Sequence, residues 1–184
     1  MSQAVLISIR PKWCSKIANG EKTIEVRKTR PKLQTPFKVY IYCTKDTKTQ
    51  FWTGTRYSYT DDHSHNQFDR CGNGNVIGEF TCYRVTNLFA NSLFWLSEED
   101  ILHTCLSANE IRKYANGAHE LYGWHISDFK LYDKPLPLNT FKKWFRECAY
   151  SDLGFAIPDC EKCTDCGCYV QKPPQSWFFV EELQ

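Results

Sequence analysis

The segment Gly20-Glu21-Lys22-Thr23-Ile24-Glu25-Val26-Arg27 constrains this chain more than any other. Ile24 and Val26 mark it as a strand, and successive side chains of a strand point to opposite faces. Ile24 and Val26 are therefore expected to enter a core while Thr23, Glu25 and Arg27 share the other face. Two outcomes fit such a strand: a solvated outer face with an ordinary Glu25–Arg27 surface pair, or a ledge facing a ligand. What precedes it favours the ledge. Ala4 to Ile9 is a short apolar strand, and Pro11 follows Arg10 where a helix starts well, because proline at the first helical position gives up no needed hydrogen bond. A helix from Lys12 to Asn19 would stop at Gly20, the residue best suited to a left-handed cap. The opening unit is thus predicted as strand, short helix, glycine, charged strand.

A chain of 184 residues is long enough for one well-buried domain and short for two, so 1–184 is read as a single unit. Its hydrophobic fraction of 42% and aromatic fraction of 15% suit a β-rich, aromatic core. No apolar run approaches bilayer length, and no basic-then-apolar leader follows Met1, so a cytoplasmic location is expected. The net charge of +2 hides an asymmetry: residues 1–48 hold eleven Lys/Arg against three Asp/Glu, or +8, and the rest twelve against eighteen, or −6. A basic face on an otherwise mildly acidic chain is what a phosphate-binding protein presents, although solvated lysines give the same count.

Further along, Lys28 to Gln34 reads as a basic connector, and Phe37 to Cys43 as a strand with Tyr40 and Tyr42 on one face and Val39 and Ile41 on the other. Residues 45–75 read as an insertion, with a hairpin around Trp52 to Tyr59. Gly72-Asn73-Gly74-Asn75 is a turn signal before a strand from Val76 to Val85. Ser97-Glu98-Glu99-Asp100 marks a helix start, Ser107-Ala108-Asn109-Glu110 a second helix ending near Asn116-Gly117, and Tyr122 to Tyr132 a strand. A short helix from Thr140 to Cys148 and a closing strand from Trp177 to Val180 complete the order. Several strands with few helices, not alternating regularly, predict an α+β fold built on a small mixed barrel. There is no internal repeat, P-loop or dinucleotide glycine fingerprint.

Gly20, Lys22, Glu25 and Arg27 occupy every fixed position of the pattern Gly-x-Lys-x-x-Glu-x-Arg. With the flanking helix and strand, this opening resembles the start of the ASCH domains, a branch of the PUA-like superfamily. Pro36 to Thr44, Val76 to Phe80 and Tyr122 to Ser127 occur in the order of bacterial and phage members, and Pro173-Pro174-Gln175-Ser176-Trp177 resembles a phage-type ending. The resemblance implies a PUA-like small mixed β-barrel with short flanking helices. It also implies that Lys22, Glu25 and Arg27 line a cleft between barrel and first helix, near Arg10, Trp13 and Lys16, with Lys12 and Arg30 extending the basic surface. Those residues suit an unpaired nucleotide: cations engage phosphate, an indole offers a stacking face, and a carboxylate accepts from a base amino group. Trp13 as a core residue and His125 as a structural one are the plainer alternatives.

Relatives resembling this domain include an amidohydrolase acting on N4-acetylcytidine and a branch reported as ribonucleases. In the amidohydrolase group the signature lysine is catalytic and a threonine stands where this chain has Glu25. Lys22 carries across; the threonine does not. Three functions follow: binding of RNA or a modified nucleoside, hydrolysis of RNA or an acylated cytidine with Lys22 and Glu25 moving protons, and a zinc-stabilised module for a protein partner. Zinc enters through residues 148–176, where Cys160, Cys163, Cys166 and Cys168 have ligand-like spacing. Three of them with Cys148, Cys71, His63 or His65 is an alternative set; reduced thiols, disulfides or an iron–sulfur cluster are the others.

Overall fold

The opening unit forms as its spacing predicts. In the computed structural model, which describes residues 2–53, 70–90, 93–94, 98–144 and 168–184, β1 (Gln3–Ile9) runs into α1 (Pro11–Ala18) with Pro11 in the first turn. Gly20 takes φ +75°, a conformation that disfavours side chains with a Cβ, and its N–H donates to the Ile17 carbonyl at 3.0 Å. Next come β2 (Ile24–Arg27), β3 (Phe37–Cys43), the two-residue strands β4 (Trp52–Thr53) and β5 (Arg70–Cys71), and the long β6 (Val76–Asn87). The short pair β7 (Phe89–Ala90) and β8 (Leu93–Phe94), the helices α2 (Glu98–Thr104) and α3 (Ala108–Ala115), β9 (Tyr122–Leu136) and β10 (Trp177–Glu181) complete the order.

Six strands form one sheet in the order β10-β1-β3-β6-β9-β2. Only β1 and β3 run parallel in it; the other neighbours are antiparallel. This sheet does not close into a barrel, contrary to the expectation above. A barrel would need the edge strands β10 and β2 to pair, but the free edge of β10 is already taken. The Trp144 N–H donates to Phe179 O at 3.1 Å, and Glu181 N–H to Lys142 O at 2.9 Å. Near the seam, side chains do the bridging instead: Arg27 Nη2 donates to the Ser8 carbonyl at 2.6 Å and Trp177 Nε1 to Thr29 Oγ1 at 3.0 Å.

That edge pairing also displaces the helix expected over Thr140–Cys148. A single 3-10 turn spans Leu138–Thr140, after which Lys142 and Lys143 form bridges with Tyr169 and Val180. Extended pairing satisfies backbone groups against β10 that a marginal helix would satisfy only locally. Residues 145–148 of that expected helix lie outside the described residues. So do 54–59 of the expected hairpin and Ser97 at the expected helix start; Trp52 and Thr53 pair with Cys71 and Arg70.

Alternation in β3 splits the interior in two. Phe37, Val39, Ile41 and Cys43 pack with Ile7, Phe80 and Trp124 on one face, whereas Tyr40 and Tyr42 pack with Leu6, Phe141 and Val180 on the other. A third, smaller cluster joins Val26 of β2 to Ile111 and Ala115 of α3. The α3 helix is well bounded. Ser107 and Glu110 form a reciprocal capping box, and Asn116 ends it in the left-handed region at φ 44°. Packed on Val26, this helix also contributes Tyr114 to the lining of a cavity.

Candidate functional site

Lys22 reaches the site by leaving the strand. Strict alternation would put it with Ile24 and Val26, but residues 21–23 lie outside the strand. The N–H groups of Glu21 and Lys22 both donate to Lys16 O, at 2.9 and 3.0 Å, and Thr23 N–H donates to His103 O at 3.1 Å. The turn brings the Lys22 side chain round to Glu25. Its ammonium donates to the carbonyls of Ile24 and Thr104, both at 2.8 Å, and lies 3.3 Å from Glu25 Oε2. Arg27 Nη2 meets Glu25 Oε1 at 2.9 Å and the Ser8 carbonyl at 2.6 Å. Glu25 thus links a lysine and an arginine.

The three side chains are buried: Lys22, Glu25 and Arg27 are 2%, 6% and 8% exposed. The solvated outer face is excluded. Burial removes hydration worth several kcal/mol per ion, which only close pairing offsets. One carboxylate faces two cations here, leaving a positive excess, and Arg27 Nε has no hydrogen-bond partner among the described residues.

All three border a cavity of about 390 Å³. One wall comes from the end of β1 and α1 (Ser8, Ile9, Arg10, Trp13), the opposite one from Leu106 and Tyr114, with Thr44 and Gln175 contributing from after β3 and before β10. Trp13 satisfies both readings made of it, since it packs against the main core and also lines the cavity. Two cations lie over its ring, Lys12 Nζ at 4.6 Å and Lys22 Nζ at 5.3 Å from the centroid. Burial raises the pKa of the Tyr114 phenol, with Arg27 acting against it.

The structure therefore brings together Arg10, Trp13, Lys22, Glu25 and Arg27 of the residues singled out from sequence, and Thr44 with them. Lys16 is spent on Glu21, 2.7 Å away. Lys12 sits exposed outside Trp13, and Arg30 is exposed over the Tyr122 ring at 5.8 Å. Trp124 and His125 do not reach the cavity. His125 Nδ1 lies 3.3 Å from Arg84 Nη2 and its Nε2 3.0 Å from Thr86 Oγ1. A guanidinium only donates, so Nδ1 accepts and the ring proton sits on Nε2. Burial, then the Arg84 charge, lowers its pKa, and the ring is a neutral structural group. Sequence reasoning missed Tyr114, Leu106 and Ser8, which carry no signal beyond core or helix patterning. Gln175 lay within a segment already noted for its resemblance.

Cys160, Cys163, Cys166 and Cys148, with His63 and His65, lie outside the described residues. Cys168 is described, and its carbonyl accepts from Lys143 N–H at 2.7 Å. Among the described residues, no three His, Cys, Asp or Glu side chains are grouped to hold a metal, and no helix is long and apolar enough to cross a membrane.

The class that this fold defines is a small domain of mixed helix and strand, with one open six-stranded sheet, few helices and a cavity lined from both α1 and α3. Residues 7–173 match the ASCH domain, and the chain belongs to that family. It is similar to the crystal structure of an ASCH protein from Zymomonas mobilis, with 18% identity, a TM-score of 0.55, and coverage of 97% of this chain and 88% of that one. A tyrosine-to-phenylalanine mutant of the same protein matches at 17% identity and TM-score 0.55, covering 97% of this chain and 91% of that one. A serine-to-alanine mutant matches at 17% and 0.56, covering 97% and 89%. Likeness at this identity extends to the fold. Among curated proteins none matches the chain.

Proposed function

We propose that this protein binds an unpaired nucleotide, as part of RNA or as a modified nucleoside, in the cavity bounded by Arg10, Trp13, Lys22, Glu25, Arg27 and Tyr114. The observation that carries the reading is the pairing of two buried cations, Lys22 and Arg27, with the single carboxylate of Glu25, all three lining the cavity. An anionic or acceptor-rich guest offsets that charge better than water does. The cavity volume lies at the small end of the range for small-molecule sites, which suits one nucleotide. Trp13 and Tyr114 supply ring faces for a base, and Arg10, at the rim, meets phosphate.

The test is titration with nucleoside monophosphates and short single-stranded RNA at low and moderate salt, alongside Arg10→Ala and Arg27→Lys. Binding that weakens steeply with salt, and weakens further in both variants, supports the reading. Salt-independent binding would refer the surface to a protein partner instead.

A hydrolase acting on RNA or an acylated cytidine draws on the same Lys22–Glu25 pair. It is the weaker reading, because the Lys22 ammonium has three hydrogens and three acceptors already surround it. Turnover of RNA or N4-acetylcytidine that disappears in Lys22→Ala would reinstate it. Zinc held by Cys160, Cys163, Cys166 and Cys168 is a separate proposal for docking the tail. Elemental analysis of chelator-free protein should find one zinc per chain, reduced in Cys163→Ser; a metal-free preparation would refute it.

A further inference from the structure

Just outside the cavity, two cations lie over two aromatic rings. Lys28 Nζ is 5.6 Å from the centroid of Tyr114, and the Arg30 guanidinium carbon is 5.8 Å from that of Tyr122. Tyr114 belongs both to this pair and to the cavity wall. Tyr122 stands directly opposite Arg27 in the β2–β9 ladder. Its hydroxyl donates to Glu120 at 2.5 Å, which fixes the ring edge. The two pairs are therefore continuous with the cavity, reached from Arg27 either along the chain to Lys28 and Arg30 or across the sheet to Tyr122.

Exposure makes this track available. Lys28 and Arg30 are exposed, Tyr114 is 40% exposed and Tyr122 is half-buried. Surface cation–ring pairs stabilise a fold by only about 0.5–1 kcal/mol each, so their contribution to folding is slight. A nucleotide needs the same two components that each pair presents, a flat face for its base and a cation for its phosphate.

We infer that Tyr114–Lys28 and Tyr122–Arg30 form a second subsite, which holds nucleotides adjoining the one in the cavity. The ligand is then a single-stranded oligonucleotide and not a free nucleoside. The inference rests on the cavity reading above and selects among its ligands. Base identity is read inside the cavity, whereas the track tolerates any base, because stacking on an exposed ring uses the π-face that all bases share.

The experiment compares nucleoside monophosphates, measured by calorimetry, with labelled hexauridylate and hexaadenylate, measured by anisotropy, across a salt series. The better hexamer should bind the wild type at least about tenfold more tightly than its monophosphate. Its log–log salt slope should be steeper by about 1.4, at about 0.7 per phosphate contact on a single strand. In Lys28→Ala/Arg30→Ala the hexamer-to-monophosphate affinity ratio should fall about tenfold and the extra slope vanish. Lys28→Arg/Arg30→Lys should retain both, and Tyr122→Ala should lower the ratio without changing the slope. Both cations are exposed, and circular dichroism checks that the variants fold. Equal affinity of hexamer and monophosphate in the wild type would overturn the second subsite while leaving the cavity reading intact. Failure of every nucleotide to bind would overturn both.

Discussion

The two faces of the sheet each carry a lysine–glutamate cluster, and they are balanced in opposite senses. On the cavity side two cations share one carboxylate and all are buried. On the far side one lysine meets two carboxylates: Lys38 Nζ lies 3.2 Å from Glu79 and 3.5 Å from Glu182, with side chains 31%, 20% and 31% exposed. The far cluster completes itself. Tyr132 donates to Glu79 Oε2 at 2.6 Å, and the Ser2 hydroxyl donates to Glu182. Solvent screens what charge is left, and the assembly ties both ends of the chain to the sheet. The near cluster has neither screening nor balance. Similar residues thus form a self-completed clasp where wet and, where dry, the charged lining of the cavity proposed to bind a nucleotide.

The largest expected effect tests the dry cluster. Glu25→Gln leaves Lys22 and Arg27 buried without a counter-charge and should cost about 3–5 kcal/mol in chemical denaturation. A loss under about 1 kcal/mol would show that the cavity is wet enough to erase the contrast. Next, Trp13→Ala should weaken nucleotide binding by about 1–3 kcal/mol, the usual worth of one stacked base. The measurement is a binding isotherm below the variant's melting transition, and an unchanged isotherm would make Trp13 a core residue only. Smallest is the wet cluster, where Glu79→Gln should cost no more than about 1 kcal/mol and leave binding untouched.

Glu79 also gives the comparison a pH signature. Burial raises its pKa, but the Tyr132 and Lys38 hydrogen bonds together with the nearby lysine charges outweigh this, and the net shift is downward. A carboxylate with a depressed folded-state pKa contributes stability above its unfolded value, about 4.3, and loses it as pH falls through the folded value. Urea midpoints measured from pH 6 downward should therefore fall below about pH 4.5, and less steeply in Glu79→Gln than in the wild type. Parallel curves would assign the acid sensitivity elsewhere.

Much of this architecture is legible in local chemistry. Pro11 and Gly20 bracket α1, the alternation of β3 sorts tyrosines from aliphatics, and Ser107 with Glu110 starts α3. These features depend on residues within a turn of one another. What stayed hidden depends on distant partners. Lys22 swings out of register because Lys16 and His103 hold the backbone before β2. The barrel stays open and the 140s helix is displaced because both outcomes hinge on one edge of β10. Tyr114 is one helical aromatic among others until α3 docks on Val26 and turns it into a wall.

The Ser8 carbonyl that holds Arg27 belongs to a residue fastened from the other end of the chain. Ser8 N–H donates to Ser176 O at 2.9 Å and its hydroxyl to Pro174 O at 2.7 Å, while Gln175 lines the cavity between them. A nascent chain emerging from the ribosome therefore carries its whole charged signature long before it owns a pocket. The cavity is complete only when the last strand arrives, so a prematurely terminated product would display the motif without the bonds that hold Ser8 and without Gln175 in the wall.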